Sequence, residues 1–204
     1  MAKKKKQSRG GLSPNKYLSK EQVERLRKYL RSQTEQRGRQ RDIVNETIID
    51  VLLNSGLRAG DLCNLRIMDM PCYHGKLVIN VHEGKGCVQR SVEISSSLAG
   101  RIVDFCNCHR RGAKPSATLF VNERFGPLSY RSLYSRVHNV GRAAGVGHLK
   151  PHMLRHTYGT MFYNVTKDLL MLQDQLGHAD PRTTGIYART LTEVRRQHAE
   201  AFDL

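Results

Sequence analysis

The chain has 204 residues, of which 39% are hydrophobic and 6% aromatic, a composition typical of one folded domain and not of a disordered chain. No segment approaches the ~18 apolar residues of a membrane-spanning helix, so we expect no membrane partner. The 34 Lys and Arg residues outnumber the 18 acidic ones, and the net charge of +16 favours a polyanionic partner such as nucleic acid, without separating an enzyme from a DNA-packaging protein.

The N-terminal part of the chain changes character at about residue 16. Residues 1–16 are rich in Lys, Gly and Ser, which predicts a flexible basic arm that either follows a DNA backbone or only adds nonspecific attraction. From Leu18 onward the hydrophobic residues follow helical spacing and predict two successive helices. The second should end at Gly56, in the left-handed conformation. A short helix then restarts with Arg58 near its beginning, where a helix N-terminus favours contact with an anion.

The middle and the C-terminal half combine one hairpin with further helices. Between Lys76 and Ile94 hydrophobic and polar residues alternate, which predicts a β-hairpin whose tip, Glu83-Gly84-Lys85-Gly86, projects Lys85. Helical spacing predicts helices near residues 96–109, 129–144, 151–164, 167–176 and 192–202, with a candidate strand at Thr118–Val121. The predicted fold is α+β and mostly helical, with a small antiparallel hairpin or sheet at one edge.

Cysteine usage gives the compartment. The five cysteines include no CxxC pair, and the chain lacks the apolar core of a signal peptide. We therefore predict reduced thiols and a cytoplasmic protein, associated with the nucleoid if the source is prokaryotic. The run Cys106-Asn107-Cys108-His109 suggests half of a zinc site, but such sites usually combine two ligand clusters. We predict neither a metal nor a cofactor.

Six polar residues stand out as a candidate catalytic set: Arg58, Lys85, His152, Arg155, His178 and Tyr187. His152 and Arg155 are three residues apart on one predicted helix, so their side chains share a face. His178 directly follows Gly177, a predicted helix stop, and Tyr187 comes nine residues later. Each alone would usually be a surface, structural or core residue, and it is their combination that indicates a site.

The motifs around these residues resemble those of the tyrosine recombinase (phage integrase) family, in family order and spacing. They read SGLRAGDLCNLR around Arg58, GKG around Lys85, KPHMLRHTYGT around His152 and Arg155, and LGHADPRTTGIYART around His178 and Tyr187. In its short length and its PHMLRH motif, the chain resembles the fimbrial phase-variation invertases. The resemblance implies a catalytic domain over residues 17–204 without a separate N-terminal core-binding domain. Where the family commonly has Glu, this chain has Asp61, which would orient Arg58 or form an ordinary surface salt bridge.

The resemblance also implies a reaction: site-specific DNA integration, excision or inversion without metal or ATP. The two arginines and His178 would hold the nonbridging oxygens of a DNA phosphate. Tyr187 would attack that phosphate and form a 3′-phosphotyrosine bond. His152 would accept the phenol proton, and Lys85 would protonate the 5′-oxygen leaving group. The implied partners are double-stranded DNA with specific recombination sites, a homotetramer on that DNA, and accessory DNA-bending proteins.

Other assignments of the same residues stay open. His156 follows Arg155 on a different face and is interpreted as a structural histidine, and the alternative nucleophiles Tyr158 and Tyr163 should pack inside their helix. A type IB topoisomerase would relax supercoils as a monomer, and a catalytically silent DNA-binding regulator would form no covalent adduct. The last predicted helix either packs on its own domain or, as the resemblance implies, docks on a neighbouring protomer.

Overall fold

The computed structural model describes residues 12–83, 87–177 and 183–190. Helices make up most of this part: α1 Lys20–Arg37, α2 Gln40–Ser55, α3 Ala59–Asn64, α4 Pro71–His74, α5 Ser96–His109, α6 Tyr130–Ala143, α7 Pro151–Thr166, α8 Leu169–Leu176 and α9 at 183–190, with 3-10 turns at Pro14–Lys16 and Ile67–Asp69. Strands β1 Val78–Glu83 and β2 Cys87–Glu93 form a two-stranded antiparallel sheet. The predicted α+β, mostly helical fold is confirmed.

Helix α2 occupies the centre of the fold. It packs against α1, α5, α6 and α7. Its sequence is hydrophobic on several faces, as expected for a helix surrounded by others. Its buried hydrophobic side chains are Val44, Ile48, Ile49, Val51, Leu52 and Leu53. Burying each of these contributes about 1.5–3 kcal/mol, so α2 is a stable base for the residues at its C-terminal end.

Two local signals explain where the first helices begin and end. Helix α1 starts at a capping box in which Ser19 Oγ accepts the Gln22 N–H at 3.3 Å and the Gln22 side chain accepts the Ser19 N–H at 2.9 Å. Helix α2 ends at Gly56, which has φ of +64° as predicted. A Cβ at this position would also overlap the ring of Tyr158 in α7. Glycine is therefore required both for the turn and for the close approach of α7.

The hairpin has the predicted alternation. Ile79 pairs with Val92, and Val81 pairs with Arg90. The three hydrophobic members of these pairs are at most 1% exposed, which places their side of the sheet against the core. Leu77, which the pattern assigned to the same face, precedes β1 and is 50% exposed.

The candidate strand at Thr118–Val121 is wrong. The segment makes only isolated bridges, between Arg66 and Thr118 and between Val121 and Pro127. Its buried residues Leu119 and Phe120 produced the strand-like pattern. These two residues lie in a turn-rich segment, and its bridge partners, Arg66 and Pro127, come from two separate parts of the chain.

Both chain ends are described only in part. Of the predicted arm, residues 1–11 lie outside the described ranges, whereas the Leu12 N–H donates to Thr190 Oγ1 in α9 at 2.7 Å. The described part of the arm is thus attached to the domain. The helix predicted at 192–202 lies outside the described residues. None of the described helices is both long and apolar enough to span a membrane.

Candidate active site

The guanidinium groups of the two candidate arginines, Arg58 before α3 and Arg155 in α7, lie at the C-terminal ends of α2 and α8. The last carbonyls of a helix have no helical partner and need other donors. Arg155, which is 3% exposed, donates from Nη1 to Gly56 O at 2.6 Å and from Nη2 to Leu176 O at 2.9 Å. Arg58 donates from Nη2 to Gly177 O at 2.8 Å. Two helix ends therefore hold both guanidinium groups in place.

The backbone of Arg58 is fixed by Asp61. Arg58 is the N-cap residue of α3, and its N–H donates to Asp61 Oδ2 at 3.1 Å. The same oxygen accepts Nη2 of Arg90 at 2.8 Å. Asp61 thus contacts Arg58 through the main chain, and its ion pair with Arg90 is largely buried, unlike the ordinary surface salt bridge that the sequence left open.

Two histidines form a pair on α7. The rings of His152 and His156, one helical turn apart, meet edge to face with centroids 5.1 Å apart. Partial burial and then the charges of Arg155 and Arg58 lower the pKa of His152. Burial, followed by the nearby positive charges, lowers the pKa of His156 to about 4. Near neutral pH both histidines are therefore mostly uncharged, and each has a ring nitrogen that can accept a hydrogen bond.

Tyr187 in α9 is buried, with 1% of its surface exposed. Its hydroxyl lies 3.1 Å from Nδ1 of His156, to which it donates when that nitrogen is unprotonated. Its ring lies against Gly159, where a Cβ would be 2.6 Å from the ring carbons Cε1 and Cζ. Burial raises the pKa of Tyr187 to about 12, although the charge of Arg155 acts in the opposite direction. In this arrangement the hydroxyl is covered and not accessible to a DNA phosphate.

The structure brings four of the six candidates into one cluster: Arg58, His152, Arg155 and Tyr187. Lys85 and His178 lie outside the described residues. The alternative nucleophile Tyr158 is packed as predicted, with 9% of its surface exposed, and burial raises its pKa to about 12. Tyr163 is partly buried and packs against the small hydrophobic cluster that contains Tyr158 and Tyr187.

Sequence reasoning missed the contacts of two residues. His156 was assigned a structural role, yet it contacts the hydroxyl of Tyr187, and its four-residue spacing from His152 was the available signal. Arg90 was overlooked, although it stands two residues before the buried Val92 and so occupies a core-facing strand position. A charged residue at such a position usually has a specific partner.

The cysteine-rich run on α5 does not converge into a ligand cluster. Cys106 is buried, with its Sγ 3.0 Å from Sγ of Cys72, whereas Cys108 is exposed. Within the described ranges no group of three or more His, Cys, Asp or Glu side chains is arranged to hold a metal ion.

A basic groove lies between α1, α2 and α6, apart from the arginine cluster. Its volume is about 870 Å³. The acidic residues Asp42 and Glu123 line it together with a larger set of arginines: Arg37, Arg39, Arg41, Arg124, Arg131 and Arg136. The charge excess seen in the sequence is thus partly concentrated on one surface.

Comparison with known proteins gives a family match over most of the chain. The model of the phage integrase family matches residues 16–193. Tyrosine recombinase XerC of Bacillus subtilis is 30% identical over 169 residues, which cover 78% of this chain and 55% of the relative. Tyrosine recombinase XerA of Pyrococcus furiosus is 33% identical over 168 residues, 80% of this chain and 57% of the relative. The chain thus spans about half the length of the curated relatives it matches.

Solved structures agree with this match. A crystal structure of XerA recombinase superposes with a TM-score of 0.74 and 29% identity, covering 89% of this chain and 64% of that one. The Tn1549 transposon integrase in complex with transposon right end DNA gives a TM-score of 0.71 over 95% of this chain and 68% of that one. At 21% identity, the second comparison establishes the fold alone.

Proposed function

The chain belongs to the phage integrase family, and we propose that it is a site-specific DNA recombinase that cuts and rejoins DNA through a tyrosine–phosphate bond. The observation that carries this proposal is the fixed pair of guanidinium groups, Arg58 and Arg155, clustered with a tyrosine hydroxyl and two neutral histidines. A guanidinium has five N–H donors, so Arg58 can hold Gly177 O and a phosphate oxygen together. Integration, excision and inversion all use this chemistry.

The proposed cleavage is an in-line displacement at phosphorus. The Tyr187 oxygen forms a bond to phosphorus, and the bond from phosphorus to the 5′-oxygen breaks. The arginines, together with His178, stabilise the charge that develops on the nonbridging oxygens. Because the phosphotyrosine bond retains the energy of the phosphodiester, a 5′-hydroxyl can later displace the tyrosine without ATP. Cationic side chains stabilise the charge in this scheme, so we expect cleavage to persist in chelator.

Two proton transfers accompany this step. His152 is the proposed base when Tyr187 attacks, and His156 holds the phenol in its buried position beforehand. Lys85 is the proposed acid for the 5′-oxygen. If so, Lys85→Ala should cleave ordinary DNA poorly but cleave a substrate with a 5′-bridging sulfur, whose leaving group needs no proton. Equal impairment on both substrates would make Lys85 only a phosphate contact.

Covalent trapping tests the function and finds the target together. A pool of nicked duplexes with a randomised segment is incubated with the protein, and DNA that resists denaturing conditions is sequenced. The nick lets the short 5′-hydroxyl fragment leave, so the phosphotyrosine accumulates. We expect one enriched sequence with wild type and none with Tyr187→Phe. Absence of any adduct would favour the silent regulator, and relaxation of supercoils by monomers without strand exchange would favour a topoisomerase.

The partners we propose are double-stranded DNA carrying recombination sites, further copies of this chain as a homotetramer, and accessory DNA-bending proteins. The net charge of +16 and the basic groove support DNA as the main partner. We accordingly propose that the protein is cytoplasmic, and associated with the nucleoid if its source is prokaryotic. Deleting residues 192–204 should leave binding to a single site nearly intact and reduce synapsis. A truncated protein that assembles and recombines normally would contradict the tetramer proposal.

A further inference from the structure

Arg90 is a buried charge on the sheet beside the arginine cluster. It lies opposite Val81 in β1 and two residues before Val92, and both valines are buried. Opposed residues of an antiparallel pair face the same side, so Arg90 projects towards the core. Its side chain is only 9% exposed, and its Nη2 donates to Asp61 Oδ2 at 2.8 Å. The sheet is thereby joined to the start of α3.

The same guanidinium covers the end of α8. A Cβ at Gly177 would lie 2.6 Å from Cδ and 2.9 Å from Nε and Nη1 of Arg90. The carbonyl of Gly177 accepts Nη2 of Arg58 at 2.8 Å, and Asp61 accepts the N–H of Arg58 at 3.1 Å. Arg90 therefore contacts both groups that hold Arg58, one at its main chain and one at its side chain.

This arrangement is unfavourable for stability alone. Nε and Nη1 of Arg90 are buried and have no hydrogen-bond partner within the described ranges, which costs free energy. After burial, the positive charges of Arg58 and Arg90 contribute to lowering the pKa of Arg155 to about 10, so Arg58 and Arg90 each lie close enough to Arg155 to repel it. Such concentrations of charge are typical of functional sites.

We propose that Arg90 is a positioning residue, which holds Asp61 and Gly177 so that Arg58 presents its guanidinium to the scissile phosphate. The inference rests on the proposed function and assigns Arg90 no direct contact with DNA. Its Nε and Nη1 are shielded in the structure, whereas Arg58 is only partly buried. The role of Arg90 is therefore carried out through Arg58.

A double-mutant cycle tests this route. The substrate is a nicked duplex with the sequence that wild type enriches by covalent trapping, and the readout is the single-turnover rate of adduct formation at saturating DNA. Arg90→Ala should lower this rate by about 100-fold, the effect of misplacing a catalytic group by roughly 1 Å. The dissociation constant for DNA should change by less than about threefold, because phosphate contacts elsewhere supply most of the affinity. In the Arg58→Ala background, Arg90→Ala should cost nothing further.

Conservative and control variants separate positioning from folding. Arg90→Lys keeps the ion pair with Asp61, so it should form the adduct at least about tenfold faster than Arg90→Ala. This variant tests the positioning role even if Arg90→Ala folds poorly. Arg101→Ala removes a different Arg–Asp pair, which joins α5 to Asp50 of α2, and this variant should cleave normally. Losses that multiply in the double variant would make Arg90 a direct phosphate contact and overturn the proposal. A normal rate in Arg90→Ala would overturn it too.

A second readout needs no cleavage and separates this proposal from the proposed function. The Nε–Hε resonance of Arg58, observed by NMR, should shift or broaden in Arg90→Ala and stay unchanged in Arg101→Ala. An unchanged Arg58 resonance would overturn the positioning role whether or not the protein cuts DNA. A wild-type protein that forms no adduct, with an Arg58 resonance that still responds to Arg90, would contradict the proposed recombinase and leave the positioning role supported.

Discussion

The arginine pocket and the tyrosine helix are held in different ways. The arginine pocket consists of Arg58, Arg155 and the carbonyl ends of α2 and α8, and three charge-assisted hydrogen bonds to backbone oxygens fix its guanidinium groups. The tyrosine helix is α9, at 183–190. Its contacts include the side-chain bond between Tyr187 and His156 and the bond from the Leu12 N–H to Thr190.

In the proposed mechanism, this difference would separate charge stabilisation from delivery of the nucleophile. Under the proposed function, guanidinium groups that are already held in place would need little reorganisation when charge develops on a phosphate, although Arg155 is only 3% exposed and would first have to become accessible. Tyr187, in contrast, is buried, and its phenol pKa is raised to about 12, so it is not poised to attack in this arrangement. Under the proposed function, this contrast would allow binding of DNA or of another protomer to control cleavage.

The largest effect should come from the tyrosine helix. Tyr187→Phe removes the attacking oxygen and should abolish covalent attachment to DNA, while DNA affinity changes little because it depends on phosphate contacts. Tyr158→Phe is the matched control, since Tyr158 is also buried with a pKa raised to about 12. Adduct gels and binding measurements on the selected duplex check both variants. An adduct formed by Tyr187→Phe would mean that another residue is the nucleophile.

The next effect should come from the arginine pocket. Arg155→Lys keeps the charge but replaces two separate donor nitrogens with one, so it cannot hold Gly56 O and Leu176 O as Arg155 does. We expect single-turnover cleavage to fall by about 10²–10³-fold, as for loss of a preorganised donor. We expect a stability loss of about 1–3 kcal/mol from the unpaired carbonyl, measured by urea unfolding.

Arg58→Lys is the matched comparison, because Arg58 binds one described carbonyl and is only partly buried. Arg58→Lys should lower the cleavage rate to a similar degree as Arg155→Lys, and the free energy of unfolding to a smaller degree. If Arg155→Lys cleaved at the wild-type rate, fixed geometry in the arginine pocket would not matter.

A smaller effect should appear in the pH dependence of stability, because His156, the hydrogen-bond partner of Tyr187, has a lowered pKa. Burial lowers the pKa of His156 from 6.5 to about 4. Between these values the unfolded chain binds a proton that the folded chain does not, so stability is lost as pH falls from 6.5 towards 4. The melting temperature of wild type should drop over this window, and His156→Gln should reduce the drop. His109→Gln, on α5, is the control; an identical pH profile for wild type and His156→Gln would contradict the low pKa.

These two regions also differ in how far the sequence could predict them. Local signals sufficed for the ends of helices: Gly56 and Gly177 are both in the left-handed conformation, and Arg58 occupies the N-cap position of α3. The contact of Tyr187 with His156 joins residues 31 positions apart and depends on how α9 packs against α7. Hydrophobic spacing reports which face of a helix is buried but not which element covers it. For the same reason, Arg90 could be recognised as inward-facing but not paired with Asp61.

The smallest effect tests whether the tyrosine helix is secured separately from the arginine pocket. Thr190 is 1% exposed, and its Oγ1 accepts the Leu12 N–H at 2.7 Å while donating to Ile186 O at 2.7 Å. Thr190→Val keeps the shape and removes both bonds, leaving the Leu12 N–H without this acceptor. We expect a cost of about 1 kcal/mol, which corresponds to a roughly fivefold larger population of the open form of α9.

Hydrogen–deuterium exchange measures this opening directly. Amides of 183–190 should exchange faster in Thr190→Val, whereas those at the ends of α2 and α8 should not change. Thr157→Val is the matched control, because Thr157 Oγ1 accepts the Leu18 N–H at 2.8 Å and lies in α7, outside the tyrosine helix. If Thr190→Val accelerated exchange equally in both regions, they would open as one cooperative unit, and the proposed separation between a fixed pocket and a movable nucleophile would fail.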